Sequence, residues 1–540
     1  MPRAIFIALC LTATTAPAVA QDHRHPAGAA EKLGTVHFSN SCAAGAQPHL
    51  DRAVSLLHSF EFGASTAAFG DALKADPACG ITQWGVALSR WGNPFAVGIR
   101  PPAQLQQGLA AVERARTIGA RTDRERAYIE AVAHLYSNAD QRPQTARVEA
   151  YRDAMREVSR RYPDDSEAAI FFALSLTAAE DLNDKSYASR LQAVGILEPL
   201  FEKHPDHPGL AHYLIHSYDV PALAPRALDA AKRYSKIAPS APHALHMPSH
   251  TFTRVGLWQE SIDTNIASAE VARQQRVTSE ELHASDYQMY AYLQTAQDAA
   301  AGRLLAALPG IAARFDPQST ASAAPPSAGY YAMAAIPARW ALERGRWADA
   351  AKLEVRPSGL PYVDALTEFA RAIGAARSGD VAAARAAVAN LEALRAREAA
   401  LNERYWTNQI DIQRRSAGAW LAFAEKRTTE ALREMREAAD AEDKTEKAGV
   451  TPGPMAPARE QLAEMLLESG DARAALQEFQ AVLVKEPHRF RATYGAARAA
   501  SQSGQTAAAN RYFAELVKMC GRAAAPVRSE LAQARAALKK

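Results

Sequence analysis

Eight of the fifteen histidines in this 540-residue chain fall between positions 204 and 283: His204, His207, His212, His216, His243, His246, His250 and His283. Six of them are spaced as side chains on one face of a helix would be. Successive residues on an α-helix turn by about 100°, so His212 and His216 lie within about 40° of each other, and Asp219 continues their stripe one turn later. His243, His246 and His250 occupy i, i+3 and i+7, an arc of roughly 60° on a second helix. His283, Asp286, Tyr287 and Tyr290 repeat the i, i+3, i+4, i+7 pattern on a third.

Imidazoles gathered this way, with a carboxylate nearby, are what a divalent transition metal requires. Neutral ring nitrogens bind the ion at about 2.0–2.1 Å, and the other nitrogen of each ring is held by a neighbour behind it. His212, His216, His246 and His250 are the first ligand candidates, with His243 and His283 beside them. Asp219 and Asp286 are read as ligands or as carboxylates behind the rings. Asp219, Asp286 and Tyr287 are the candidates for acid–base catalysis. With no thiolate in the stretch, a soft copper(I) thiolate site is disfavoured, and imidazole with carboxylate suits Zn, Cu(II), Fe or Ni. The competing reading is a hydrogen-bonded polar groove. A single helical histidine usually packs or hydrogen-bonds, and His204 and His207, in the turn HPDHP, are read that way. His37, His49, His58, His134 and His488 stand isolated and receive no role. Tyr213, Tyr287, Tyr290, Trp84 and Trp258 are read as repeat packing rather than substrate contacts, and Trp258 fills a template position.

The elements that must position these residues come from a repeat. Gly345, Trp347 and Ala350 begin one copy, and Gly379 with Ala384 follows 34 residues later; Gly470, Ala475, Phe479 and Pro487 begin another, and Gly504, Ala509 and Phe513 follow, again at 34. Pro205 to Pro239 spans the same interval, and Phe62, Phe69, Ala72 and Pro77 fit the second half of the template. This period with these residues is the signature of tetratricopeptide (TPR) repeats, helix-turn-helix units that stack through small and aromatic positions. Alternating β-branched strand patterns are scarce, so the fold is read as an all-α TPR-like solenoid. The Pro/Ser/Ala-rich segment 316–328 is read as a linker between an N-terminal array, 36–315, and a C-terminal array, 329–540. A second break falls at 449–457. The histidine stripes then lie on the first helices of three consecutive units, at about 209–219, 242–255 and from 280 onward. In such arrays first helices line the concave groove, with neighbours about 8–10 Å apart.

Arg3, an apolar run to Leu11 and Ala18-Val19-Ala20 before Gln21 make a secretory signal cleaved near Ala20, so the mature protein is expected to be periplasmic or secreted. A lipoprotein reading through Cys10 is poor, because Leu9 stands where a small residue belongs. No later run reaches membrane-helix length, which excludes membrane insertion. A net charge of +3, with both signs interspersed, gives no nucleic-acid footprint. In an oxidising compartment Cys42 and Cys79 make a plausible disulfide, with Cys520 left over. HExxH, GxSxG and phosphate-loop patterns are all missing, so zincin, serine-hydrolase and nucleotide chemistries lose their usual signals.

The phrases HPGLAHYLIHSYD, APSAPHALHMPSHTFTRVGLW and ELHASDYQMYAYLQ, with NSCAAG and TPGPMAPARE, resemble a family of exported bacterial TPR proteins with histidine-rich central repeats. The likeness runs from about Val36 to Phe513. It implies the solenoid and places the functional core in the histidine-rich units, without naming a reaction. Three functions compete: a transition-metal centre in the groove, with or without enzyme activity; a scaffold that grips a peptide or protein along the groove; and a metal buffer or carrier. A scaffold spreads its polar groove residues over many units, whereas here they gather in three, which favours the first.

Overall fold

The computed structural model describes residues 31–539. The segment read as an export signal, with Cys10, lies outside them. Among the described residues every regular element is helical, and consecutive helices pack on each other through short turns. The molecule is an all-α, TPR-like solenoid.

The template residues are what stack the repeats. Gly470 and Gly504 end their helices with φ of 91° and 78°, left-handed values that a residue with a Cβ adopts at a cost. Ala475 and Ala509 are buried at the contacts that follow. Phe479, on the helix Ala472–Lys485, lies so close to the helix Phe490–Gln502 that a Cβ on Gly495 would sit 2.2 Å from its ring. Phe69 and Gly85 repeat this near the start, at 2.0 Å. The unit beginning at Gly345 departs from the pattern. Its second helix is one turn, Trp347–Ala350, followed by an irregular stretch that contains Pro357 and ends at the helix Pro361–Arg377.

Segment 316–328 is not a free tether. Ala323 and Ala324 are buried. The Ala321 carbonyl accepts the Gly63 N–H at 2.7 Å, the Ala323 carbonyl accepts the Asn93 amide at 3.0 Å, and the Ala324 N–H donates to Glu280 at 2.7 Å. Its small side chains let the backbone pass close to the N-terminal helices. Thr278–Gln294, the second helix before it, packs directly on Pro326–Glu343, which begins at its end.

The helix Thr278–Gln294 is the hub. Every residue in it except Tyr292 is buried. Asp286 pairs with buried Arg339 at 2.8 Å, Tyr290 accepts from Arg489 at 2.9 Å, and Gln294 accepts the Phe490 N–H at 2.9 Å. Arg489 in turn pairs with Glu460 and Glu343, both buried. Removing one partner of a pair buried this deeply costs several kcal/mol, because it strands the other charge.

Cys42 and Cys79 are bridged, their Cα atoms 5.1 Å apart across a separation of 37 residues. Loop-closure entropy of that size is worth about 4 kcal/mol. The Cys42→Ser/Cys79→Ser variant is therefore expected to lose up to about 4 kcal/mol of unfolding free energy in urea titrations.

Candidate metal centre

Three helical segments carry the histidines. The first is Pro208–Ser217, with His212 and His216. Proline at its first position needs no N–H partner, and the His207 ring caps it by accepting the Leu210 N–H at 3.3 Å. The second is divided by Pro248 into Pro242–His246 and Pro248–Arg254, where the sequence reading had one helix over 242–255. Met247 between them keeps helical angles, φ −54° and ψ −36°, so the chain loses a hydrogen bond at Pro248 but not its direction. His243, His246 and His250 thus still share a face. The third segment is Thr278–Gln294, with His283 and Tyr287.

These helices bring together all six histidines singled out from spacing, as two triads. Ring nitrogens of His212, His216 and His243 lie within 4.8 Å of one another, and so do those of His246, His250 and His283. The triads adjoin, with ring centres 5.8 Å apart for His216 and His250 and 5.9 Å for His243 and His246. All six side chains are buried. Phe95 stacks on His216 at 3.9 Å, and Phe60 packs against His212 and His243.

Hydrogen bonds set which nitrogen of three rings carries the proton. His212 donates from Nδ1 to the His58 carbonyl at 2.6 Å. His246 donates from Nδ1 to Asn265 Oδ1 at 2.7 Å, the Asn265 amide nitrogen being occupied by the Ser261 carbonyl. His250 donates from Nδ1 to the Asp219 carboxylate at 2.9 Å. Each ring therefore presents a bare Nε2 lone pair. His212 Nε2, His216 Nε2, both nitrogens of His243 and His283 Nδ1 are buried without a hydrogen-bond partner. The Nε2 atoms of His246 and His250 face each other at 3.1 Å. Burial, with the other histidines adding to it, holds His212, His216 and His246 well below the usual imidazole range; burial lowers His250 to about 4 and His283 to about 3. At neutral pH the facing lone pairs repel each other unless a cation lies between them.

Asp219 stands behind His250 and is saturated. Besides His250 it meets Lys447 at 3.2 Å and Arg254 at 2.8 Å. Burial alone would raise its pKa, but these two cations hold it well below the ordinary carboxylate range. Burial takes Lys447 down to about 8. The Tyr287 hydroxyl is 3.4 Å from His250 Nε2 and 3.1 Å from the carbonyls of Gly449 and Thr451, and burial keeps the phenol protonated. Asp286 spends its carboxylate on Arg339, which also binds the Thr451 hydroxyl at 2.8 Å and the Gly453 carbonyl at 3.1 Å. It anchors a loop beside the centre and belongs to neither triad.

His58 is not isolated, as its place in the sequence implied. Its Nε2 donates to Glu167 at 2.8 Å, its Nδ1 meets the Tyr213 hydroxyl at 2.9 Å, and His207 donates to the other Glu167 oxygen at 2.9 Å. Every ring nitrogen in that group has a hydrogen-bond partner, so no bare lone pair is left there, although its donor atoms lie as close together as those of the two triads. The carbonyl of His58, 154 residues from His212, had no signal in the sequence. Asn265 had one: it is a polar residue on the buried face of its helix, beside Ser261, Ile262 and Ser268.

The groove is closed over the histidines. Segments 93–97, 323–328 and 448–450, with Tyr362 and Trp406, line a pocket into which His216, His243, His250 and His283 open. Tyr362 and Trp406 stack at 4.1 Å. Lys447 is positioned by its neighbour Glu446, which accepts from Lys185 at 2.5 Å and Tyr187 at 2.9 Å, while its N–H donates to the Leu182 carbonyl at 3.2 Å.

Fold and site together define the class, a TPR-like helical solenoid with six imidazoles buried in its interior. Among solved structures the chain is similar to yeast Tom70, at 10% identity over 92% of this chain and 95% of that one, with a TM-score of 0.28. No family model matches the sequence. No curated protein matches it either.

The lowered histidines make the metal-free protein acid-sensitive. In the unfolded chain these rings titrate near about 6.5. Above that pH both states are neutral, and below it only the unfolded state takes up protons until the folded values are reached. Stability of metal-free protein is expected to hold down to about pH 6.5 and then fall, by up to about 1.4 kcal/mol per pH unit for each of the five shifted rings. Urea midpoints measured between pH 8 and pH 4 would read this, and a midpoint unchanged on acidification would contradict it.

Proposed function

We propose that this is an exported metalloprotein whose six central histidines hold transition metal for chemistry on a small substrate entering the cavity. One observation carries the reading: five buried nitrogens on four of the rings, His212 Nε2, His216 Nε2, both of His243 and His283 Nδ1, lack any hydrogen-bond partner, while the Nε2 atoms of His246 and His250 face each other with both Nδ1 protons already committed. A hydrogen-bonded polar groove would satisfy those atoms, since each one left bare inside a protein costs roughly 1–3 kcal/mol. A bound ion satisfies them directly. Asp219, Asn265 and the His58 carbonyl take the part of the partners that orient metal-binding imidazoles. Export is supported by the N-terminal signal and by the Cys42–Cys79 bridge, which survives in oxidising compartments. Burial of all six rings disfavours the buffer or carrier reading, which needs an exchangeable, exposed site.

The scaffold reading retains one specific support. A second pocket is walled by Tyr331, Tyr405, Trp406 and Phe369, with Lys447 and Lys485 among its charged residues. Its mixed aromatic and charged lining suits a chain segment, and it borders the histidine pocket through Tyr362 and Trp406.

Elemental analysis of protein recovered from the exported fraction is expected to find transition metal in the wild type and none in His212→Ala/His246→Ala. Wild-type protein that stays metal-free after incubation with Zn, Cu, Fe and Ni would refute the metal reading and leave the scaffold. Asp219→Asn, which removes the charged acceptor behind His250, should weaken metal binding by about 10–100-fold in a competition titration against a chelator.

A further inference from the structure

We infer that each triad takes its own ion, so that the six histidines hold a pair of copper ions whose open positions share one cavity. This rests on the metal reading above and goes further in number, element and arrangement.

The count comes from geometry. Six imidazoles are too many for one tetrahedral ion, and the nitrogens do not form a single shell. They fall into two groups of three, each within 4.8 Å internally. Two nitrogens on one tetrahedral ion stand roughly 3.3 Å apart, and the facing pair in the second triad, His246 and His250, is at 3.1 Å. Three ligands leave one position vacant on each ion. His216 and His243 of the first triad and His250 and His283 of the second all open on the same cavity. The ring separations of 5.8 and 5.9 Å between triads put the two vacancies within reach of one bridging oxygen ligand, such as hydroxide.

The element follows from ligand type. The inner shell is all imidazole: Asp219 is saturated behind His250, Asp286 is turned to Arg339, Glu280 stands 3.8 Å behind His243 Nδ1, and Glu61 accepts from the His243 backbone. Iron sites of the facial-triad kind need a carboxylate among the ligands, whereas a neutral nitrogen shell suits copper, which also heads the affinity order of the divalent series. Two divalent ions bring four positive charges to six neutral ligands in a buried site. Asp219 is already offset by Lys447 and Arg254, which leaves Glu280 and Glu61, each with one oxygen unpartnered, as the nearby acids that lower this charge.

The test is a metal count with a spectroscopic readout on the full mature chain. Metal-free protein is offered an equimolar mixture of copper(II) and zinc in excess, desalted, and analysed. Two copper per chain are expected in the wild type, and one each in His212→Ala/His216→Ala and in His246→Ala/His250→Ala. If either double variant fails to fold, judged by circular dichroism, His243→Ala and His283→Ala replace them, each removing one ligand from one triad. Electron paramagnetic resonance of the copper(II) wild type should show little signal against its copper content, because a bridging ligand couples the two spins, and the one-copper variants should show the full signal. One copper per wild-type chain would overturn the pair while leaving the metal reading intact, and no metal at all would overturn both. Zinc in place of copper would overturn the choice of element. Two copper with undiminished resonance would overturn the shared cavity.

Discussion

A neutral imidazole can be buried at little cost only when its N–H finds an acceptor and its lone pair finds something electrophilic. This protein meets the first half of that condition for His212, His246 and His250 with a backbone carbonyl, an amide oxygen and a carboxylate, and leaves the second half open at several atoms crowded into one region. Much of the fold around the centre serves the first half. The helix Trp258–Gln275 contributes Asn265, the last residue of the helix Gln47–His58 contributes its carbonyl, and the loop carrying Lys447 holds Asp219 charged.

The same constraint accounts for how tightly the two ends of the solenoid are fastened. An open array would leave the histidines in water, where lone pairs are satisfied by solvent and ligand pKa values stay ordinary. Here Glu446 is gripped by Lys185 and Tyr187, Asp286 holds Arg339 against the loop at Thr451 and Gly453, and Ala321 to Ala324 run across the N-terminal helices. These contacts join residues more than a hundred positions apart and bury the triads. Burial lowers the imidazole pKa values and keeps the rings neutral at neutral pH.

Much of the local structure was legible in the sequence because local rules govern it. The 34-residue period, the turn glycines and the helical spacing of the histidines depend on neighbours within one or two turns, and they reappear in the structure, except that the second helix of the Gly345 unit shrinks to one turn. Pro248 is a second local exception: it divides one helix into two and leaves the shared face unchanged. What composition could not show is which residues pack across the solenoid. The segment 316–328 has the small and proline-rich make-up of a tether, and the same smallness lets it lie buried between helices.

The sequence by itself determined that the chain is a helical repeat protein and that six histidines occupy matched faces of three successive units, since both follow from periodicity along the chain. Tertiary structure decided how those faces meet. It divided the six into two triads, turned Asp286 away to Arg339, drew Asp219 behind His250, and supplied the His58 carbonyl, Phe60, Phe95 and the loop at Lys447 from distant parts of the chain. The reason is physical: a ring's orientation and protonation depend on what packs behind it, and those partners are chosen by the folding of the whole solenoid, at sequence separations where no periodicity survives.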